Sequence, residues 1–157
     1  MALKQRIEQV GNVKAWFGEL PVESLYTAGV GGEQFFRTLK DEGVFTGTRC
    51  EQCGIVYVPG RIFCERCLTK LDRWVKVGSE GTLKSWTVLY LGLDGKPQAE
   101  PEIVGLIELD GASTVLVHRL GNIQPAEIRF GMRVKAVLKP KSKREGAITD
   151  IRFFEPV

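Results

Sequence analysis

The sequence predicts a mainly β chain with N-terminal helices, in which a small metal-held lobe precedes an antiparallel barrel. Three observations carry that expectation. All four cysteines of the 157-residue chain fall between Cys50 and Cys67, as two C-x-x-C pairs. Beyond Cys67 the apolar residues recur with period two, in short runs broken by turn residues. Among those runs no helical pattern is strong enough to cross a parallel sheet.

Taken in order, MALKQRIEQV places Leu3, Ile7 and Val10 on one helical face. The glycine-rich stretch from 11 to 32 reads as an irregular arm with apolar anchors Trp16, Phe17, Leu20, Leu25 and Tyr26. An arm this apolar has to cover something, either its own domain or a partner subunit. Residues 32–43 predict a short amphipathic helix with a stripe of Phe35, Phe36 and Leu39, stopped at Gly43. VFTGTR, residues 44–49, alternates towards a strand. The expected layout is an arm with helices over 1–43, a metal lobe over 44–73 and a barrel over 74–157.

Each C-x-x-C pair can hook two thiolates onto one metal. The ten residues between the hooks allow a hairpin that brings the second back to the first. Cys50, Cys53, Cys64 and Cys67 then close a tetrahedral four-thiolate site, the arrangement of structural Zn²⁺. Gly54 suits the tight knuckle after the first hook, and Pro59-Gly60 the turn of the hairpin. Iron in a rubredoxin-type site shares the ligand set and stays open as an alternative. A closed site has no open coordination position, so it holds structure and does no catalysis. A lobe of this size could not support itself by burial alone.

The candidate barrel strands are 74–77, 81–91, 103–109, 114–120, 133–138 and 148–154, rich in Val, Ile, Leu, Trp and Thr. Asp110-Gly111 marks a hairpin between two of them. Residues 125–130, just before Gly131, are where a Greek-key connection would cross. Trp86 and Tyr90 share strand parity, which fits a core face better than a base-stacking platform.

Composition narrows the function. No window approaches the ~20 apolar residues of a membrane helix, and the N-terminus lacks the apolar stretch of a secretory signal, so a cytoplasmic location is expected. Net charge is +3 and the sequence pI 8.7. That is short of the basic footprint of a nucleic-acid binder, a pI above ~9 with clustered charge. His118 is the one histidine, no cysteine is left over as a nucleophile, and there is no phosphate-loop or nucleophile-elbow motif. An independent enzyme is therefore not expected. The positive features are basic: Lys135, Lys139, Lys141, Lys143 and Arg144 crowd one strand and turn, and Arg119, Arg129 and Arg133 lie near one another in sequence. Such groups hold phosphates or simply coat a solvated loop.

A helix ending near Gly43, then TRCEQCG, then VPGRIFCERC, then a barrel is a specific order. With GTLKSWTVLY after the cysteines and the late FGMRVKAVLKP, it resembles the family of small proteins with a rubredoxin-like zinc ribbon and a C-terminal OB-fold. The resemblance covers residues 31–157. Glu65 stands where many members have proline after the third cysteine, which leaves the ligands untouched. The resemblance implies a five-stranded OB-fold barrel and a structural Zn²⁺. It also implies a non-catalytic subunit of a hetero-oligomer, docked on a thiolase-like or other acyl-CoA enzyme and helping to bind or channel a CoA thioester. CoA carries three phosphate groups and an adenine, so its expected contacts here are Arg61, Arg119, Lys139, Lys141, Lys143 and Arg144. The competing readings are a single-stranded nucleic-acid module, since OB barrels and zinc ribbons also serve that role, and a small iron electron carrier.

Overall fold

A computed structural model of the chain describes residues 27–92 and 94–157. The expected helix over 1–10 and the anchors Trp16, Phe17, Leu20, Leu25 and Tyr26 lie outside the described residues. Helix α1 runs Gly29–Asp41, starting three residues before the expected position. No side chain caps its N-terminus. What holds this first turn is close packing: a Cβ on Gly31 would lie 2.3 Å from the Gly60 carbonyl oxygen of the cysteine lobe. Phe35 and Leu39 are fully buried, as the stripe predicts, and Phe36 packs at the margin of the same core. At the far end, the N–H groups of Glu42 and Gly43 donate to the Thr38 and Leu39 carbonyls at 2.9 and 3.0 Å.

The next strands, β1 (Phe45–Arg49), β2 (Val56–Tyr57) and β3 (Trp74–Val77), form an antiparallel sheet in the order β2-β1-β3. Phe45 pairs with Val77 and Thr48 with Trp74, so the first of the six expected barrel strands is laid on the cysteine lobe. The remaining five are β4 (Glu80–Leu91), β5 (Pro97–Leu109), β6 (Val115–Leu120), β7 (Arg133–Leu138) and β8 (Ile151–Pro156). They close a barrel in the order β4-β5-β6-β8-β7, with Gly81 opposite Val134 at the closure. This is the Greek-key connectivity of an OB-fold. The parallel neighbours β6 and β8 pair in register only at Leu120 and Phe154. The connection before β7 crosses through a 3-10 turn at Pro125–Glu127, and 148–150, expected as strand, forms another such turn that delays β8.

Strand β4 carries a bulge between Leu83 and Ser85. Gly81 and Leu83 face the core before it, and Trp86 and Val88 after it, because one inserted residue shifts the parity. β4 and β5 then outrun the barrel. Tyr90 accordingly stands exposed (63%) rather than in the core its parity suggested.

One continuous core joins helix, ribbon and barrel. The Phe35 and Phe45 rings are 6.2 Å apart, and Phe45 and Phe154 6.4 Å. A polar seam fastens the same joint. The Val56 N–H donates to Ser113 Oγ at 3.1 Å and its carbonyl accepts from the Ser113 N–H at 2.8 Å. Thr114 Oγ1 likewise accepts from the Val58 N–H at 2.8 Å and donates to the Val58 carbonyl at 3.1 Å. The β5–β6 turn thus satisfies the outer edge of β2, as a further strand would.

Candidate metal centre and basic groove

The two knuckles are built alike. After the first hook, the Gly54 N–H returns to the Cys50 carbonyl at 2.8 Å with φ +70°. After the second, the Leu68 N–H returns to the Cys64 carbonyl at 2.9 Å with φ +59°. Glycine makes the left-handed turn freely, and a leucine there is uncommon. The result brings all four Sγ atoms within 4.8 Å of one another. The Cys50–Cys67 and Cys53–Cys64 separations are 3.5 and 3.9 Å. Zn–S bonds of ~2.3 Å in a tetrahedron require sulfurs about 3.8 Å apart, so the donor set fits zinc.

The surroundings tune the sulfurs. Tyr57, fully buried, places its hydroxyl 3.2 Å from Cys64 Sγ. That hydrogen bond lowers the Cys64 thiol to about 6 and, with burial, pushes Tyr57 up to about 12. Hydrogen bonds from Thr69 lower Cys67. Cys53 is pushed up to about 12, first by its hydrogen bond with Cys67 and then by burial. A bound dication overrides that ordering, because a coordinating thiol is deprotonated outright. The Cys53 N–H points at Cys50 Sγ from 3.4 Å, the outer-shell donor such a site needs.

The candidate basic residues do not form one cluster. Arg61 belongs to the ribbon: its guanidinium lies 5.0 Å from the Tyr57 ring centroid and pairs with Glu65, while its backbone N–H and carbonyl are clasped by Thr48 Oγ1. Arg144 turns inward; its Nε donates to the Lys139 carbonyl at 2.8 Å and its Nη1 reaches the Leu39 carbonyl at 3.5 Å, closing the C-terminus of α1. Arg133 is held by Asp110 and Glu80, and Arg129 donates to the carbonyls of Ala126 and Ile128. Lys141 and Lys143 are exposed on a 3-10 turn. Arg119, paired with Glu102, and Lys139, 3.8 Å from Asp150, both line a groove of ≈ 660 Å³ where β6 and β8 diverge.

Sequence reading missed two groups here. Arg152 lines the same groove, and β8 parity alone would have turned it outward, but not towards β6. Asp150 is fully buried, its carboxylate accepting from the N–H groups of Glu145, Gly146 and Ala147. Burial raises its pKa, but these N–H groups and Lys139 outweigh that and hold it below the usual range. His118 faces Phe154 edge-on at 5.7 Å, with Nε2 3.4 Å from the Ile148 carbonyl and Nδ1 buried without a partner. Burial lowers its pKa, so the ring is a neutral packing element.

The comparisons with known proteins agree with this architecture. Residues 37–72 match the ChsH2 rubredoxin-like zinc ribbon domain and residues 74–139 the ChsH2 C-terminal OB-fold domain. A DUF35 domain-containing scaffold protein of Methanothermobacter thermautotrophicus is 31% identical over 103 residues, covering 64% of this chain and 75% of that protein. One of Methanocaldococcus jannaschii is 26% identical over 125 residues, covering 78% and 88%. Among solved structures, a DUF35 protein of unknown function from Sulfolobus solfataricus superposes with a TM-score of 0.63 at 24% identity, covering 82% of this chain and 87% of that one. The Ltp2-ChsH2(DUF35) aldolase superposes with a TM-score of 0.56 at 24% identity, covering 78% and 91%. With its four-cysteine ribbon docked on an OB barrel, the chain belongs to the DUF35 family and carries a structural zinc-ribbon site of the ChsH2 type.

Proposed function

We propose that the protein is a non-catalytic accessory subunit of a thiolase-type acyl-CoA enzyme, in a hetero-oligomer where it helps to bind or channel the CoA thioester. One observation carries the reading. The four cysteines converge on a closed metal site, and the one histidine is a half-buried ring packed edge-on against Phe154, so the described residues contain no nucleophile with a base beside it. The reacting groups then belong to a partner. The scaffold names of the archaeal relatives and the aldolase assembly of a structural neighbour support that division of labour.

The finer reading concerns the substrate. WFGELPVESLYTAGVGG, within residues 16–32, resembles the arm of the small subunit of benzoylsuccinyl-CoA thiolase of anaerobic toluene degradation, which makes benzoylsuccinyl-CoA the first thioester to try. The test is capture of the tagged chain from its native extract, with mass identification and assay of what co-elutes. A thiolase or related acyl-CoA enzyme in fixed ratio, active with that thioester, is the expected result. Elution alone, or with nuclease-sensitive material, overturns the reading in favour of a nucleic-acid module.

A further inference from the structure

The two knuckles match in backbone but not in surface. The first presents Glu51, Gln52 and Gly54 to solvent. The second presents Ile62 and Phe63 on the way in and Leu68 on the way out, with Phe63 54% and Leu68 76% exposed. These three residues belong to one short hairpin: the Leu71 N–H donates to the Ile62 carbonyl, the Leu68 N–H to the Cys64 carbonyl, and Phe63 pairs with Lys70. Leu68 holds, at φ +59°, the left-handed turn that Gly54 holds in the first knuckle. Glycine would make that turn without strain, and a leucine side chain left in water returns nothing to folding. Strain borne by an exposed apolar side chain points to a contact outside the knuckle. An apolar patch rimmed by charge is a docking surface.

The occupant is indicated by where the chain enters. Helix α1 begins on this hairpin: a Cβ on Gly31 would lie 3.5 Å from the Arg61 Cα, one residue before Ile62. Val30, next to Gly31, is exposed as well. Tyr26 precedes Gly31 closely enough that an extended chain carries it at most ~18 Å away, and Trp16 at most ~54 Å. Charge fits too. Residues 16–26 combine Trp16, Phe17, Leu20, Leu25 and Tyr26 with Glu19 and Glu23, and contain no Lys or Arg. The hairpin offers Arg61, Arg66 and Lys70 against Glu65, which Arg61 already holds. Among the described residues neither Arg66 nor Lys70 has a carboxylate within salt-bridge distance.

We infer that residues 16–26 fold back over the second knuckle of their own chain, with their apolar side chains on Ile62, Phe63 and Leu68 and with Glu19 and Glu23 towards Arg66 and Lys70. This contact stands apart from the accessory role, which neither requires it nor follows from it.

The experiment is hydrogen exchange, read by mass spectrometry, on the full zinc-loaded chain without partner. The expected result is protection of the amides of 16–26 that does not change with protein concentration. Leu68→Gly keeps the turn and removes the side chain; it should speed exchange across 16–26 about tenfold and leave 50–57 unchanged, as loss of one buried leucine contact predicts. Glu19→Lys with Glu23→Lys should weaken the protection similarly. Adding Arg66→Glu and Lys70→Glu to that pair should restore it, a recovery that a local effect at Leu68 could not produce. Glu51→Gln, on the first knuckle, should leave it unchanged, and zinc content checks that each variant keeps the ribbon. Unprotected amides in 16–26 overturn the inference, as does unchanged exchange in Leu68→Gly. Protection that rises with protein concentration assigns the patch to a second copy, and protection seen only in the complex captured from the extract assigns it to the partner; either overturns the inference.

Discussion

Around the four sulfurs, among the described residues, the buried apolar neighbours are Tyr57 and Leu71, whereas Leu83, Ile103, Ile107, Leu109, Val134, Ile151 and Phe154 fill the barrel. The tip of the ribbon has two knuckles and four thiolates placed to hold a metal; the barrel is held by burial and a closed hydrogen-bond ladder. Between them lies the base of the ribbon, where Phe45, Val56 and Val58 belong to the barrel's core. The contrast teaches that one chain can divide its stability between ligation and burial, and that the border falls inside the ribbon.

Stripping the metal should separate the two regions most sharply. A structural zinc of this type is worth on the order of 10 kcal/mol or more to the segment it folds. Chelation, or Cys50→Ser, is expected to abolish hydrogen-exchange protection across 50–72 while the amides of β4 to β8 stay protected. Barrel amides exchanging at the same rate as the ribbon's would erase the border drawn here.

The next effect runs the other way. Phe154 is fully buried and packs against Phe45, so Phe154→Ala should cost about 3–5 kcal/mol. Denaturant unfolding of the zinc-loaded protein should show that loss in ribbon and barrel signals together. A loss confined to the barrel would mean that the shared core does not couple them.

A smaller effect tests the seam. Thr114→Val leaves the N–H and carbonyl of Val58 without their side-chain partner, at about 1–3 kcal/mol. Zinc should then leave the protein faster in a chromophoric chelator assay. An unchanged rate would make the seam incidental to the metal lobe.

The smallest effect is a pH dependence. The folded pKa of His118 lies below the ordinary 6.5 because of burial. Below 6.5 the unfolded chain therefore binds a proton that the folded one refuses. Its stability contribution is complete above pH 6.5 and is lost as pH falls through the depressed folded value. Asp150 acts in the same sense at lower pH, from 3.8 downwards. His118→Gln should flatten the first step and leave the second. A step that persists in the variant belongs to another group.

Much of this protein was legible before folding. The cysteine spacing specified the metal site to the residue, because ligation by two C-x-x-C hooks is a local constraint. Asp110-Gly111 and the Phe35 and Leu39 stripe were legible because each is likewise a local pattern. The bulge after Leu83 was not, since a single inserted residue leaves no mark in an apolar alternation, and neither was the exposure of Tyr90, which follows from β4 outrunning the barrel.

The basic groove shows the other limit. Arg119, Lys139 and Arg152 are scattered along the chain, and only the placement of β8 beside β6 assembles them. The same folding removed Arg144 to the end of α1 and Arg133 to Asp110, although both looked equally basic in sequence. By itself the sequence determined the zinc ribbon and the succession of short strands after it, because both depend on residue types at short spacing. The tertiary structure decided that Trp74–Val77 joins the ribbon, that one core runs through both lobes, and that Arg152 lines the groove where β6 and β8 diverge. Those outcomes depend on which distant segments pair, and pairing is settled by the energy of the whole packed chain.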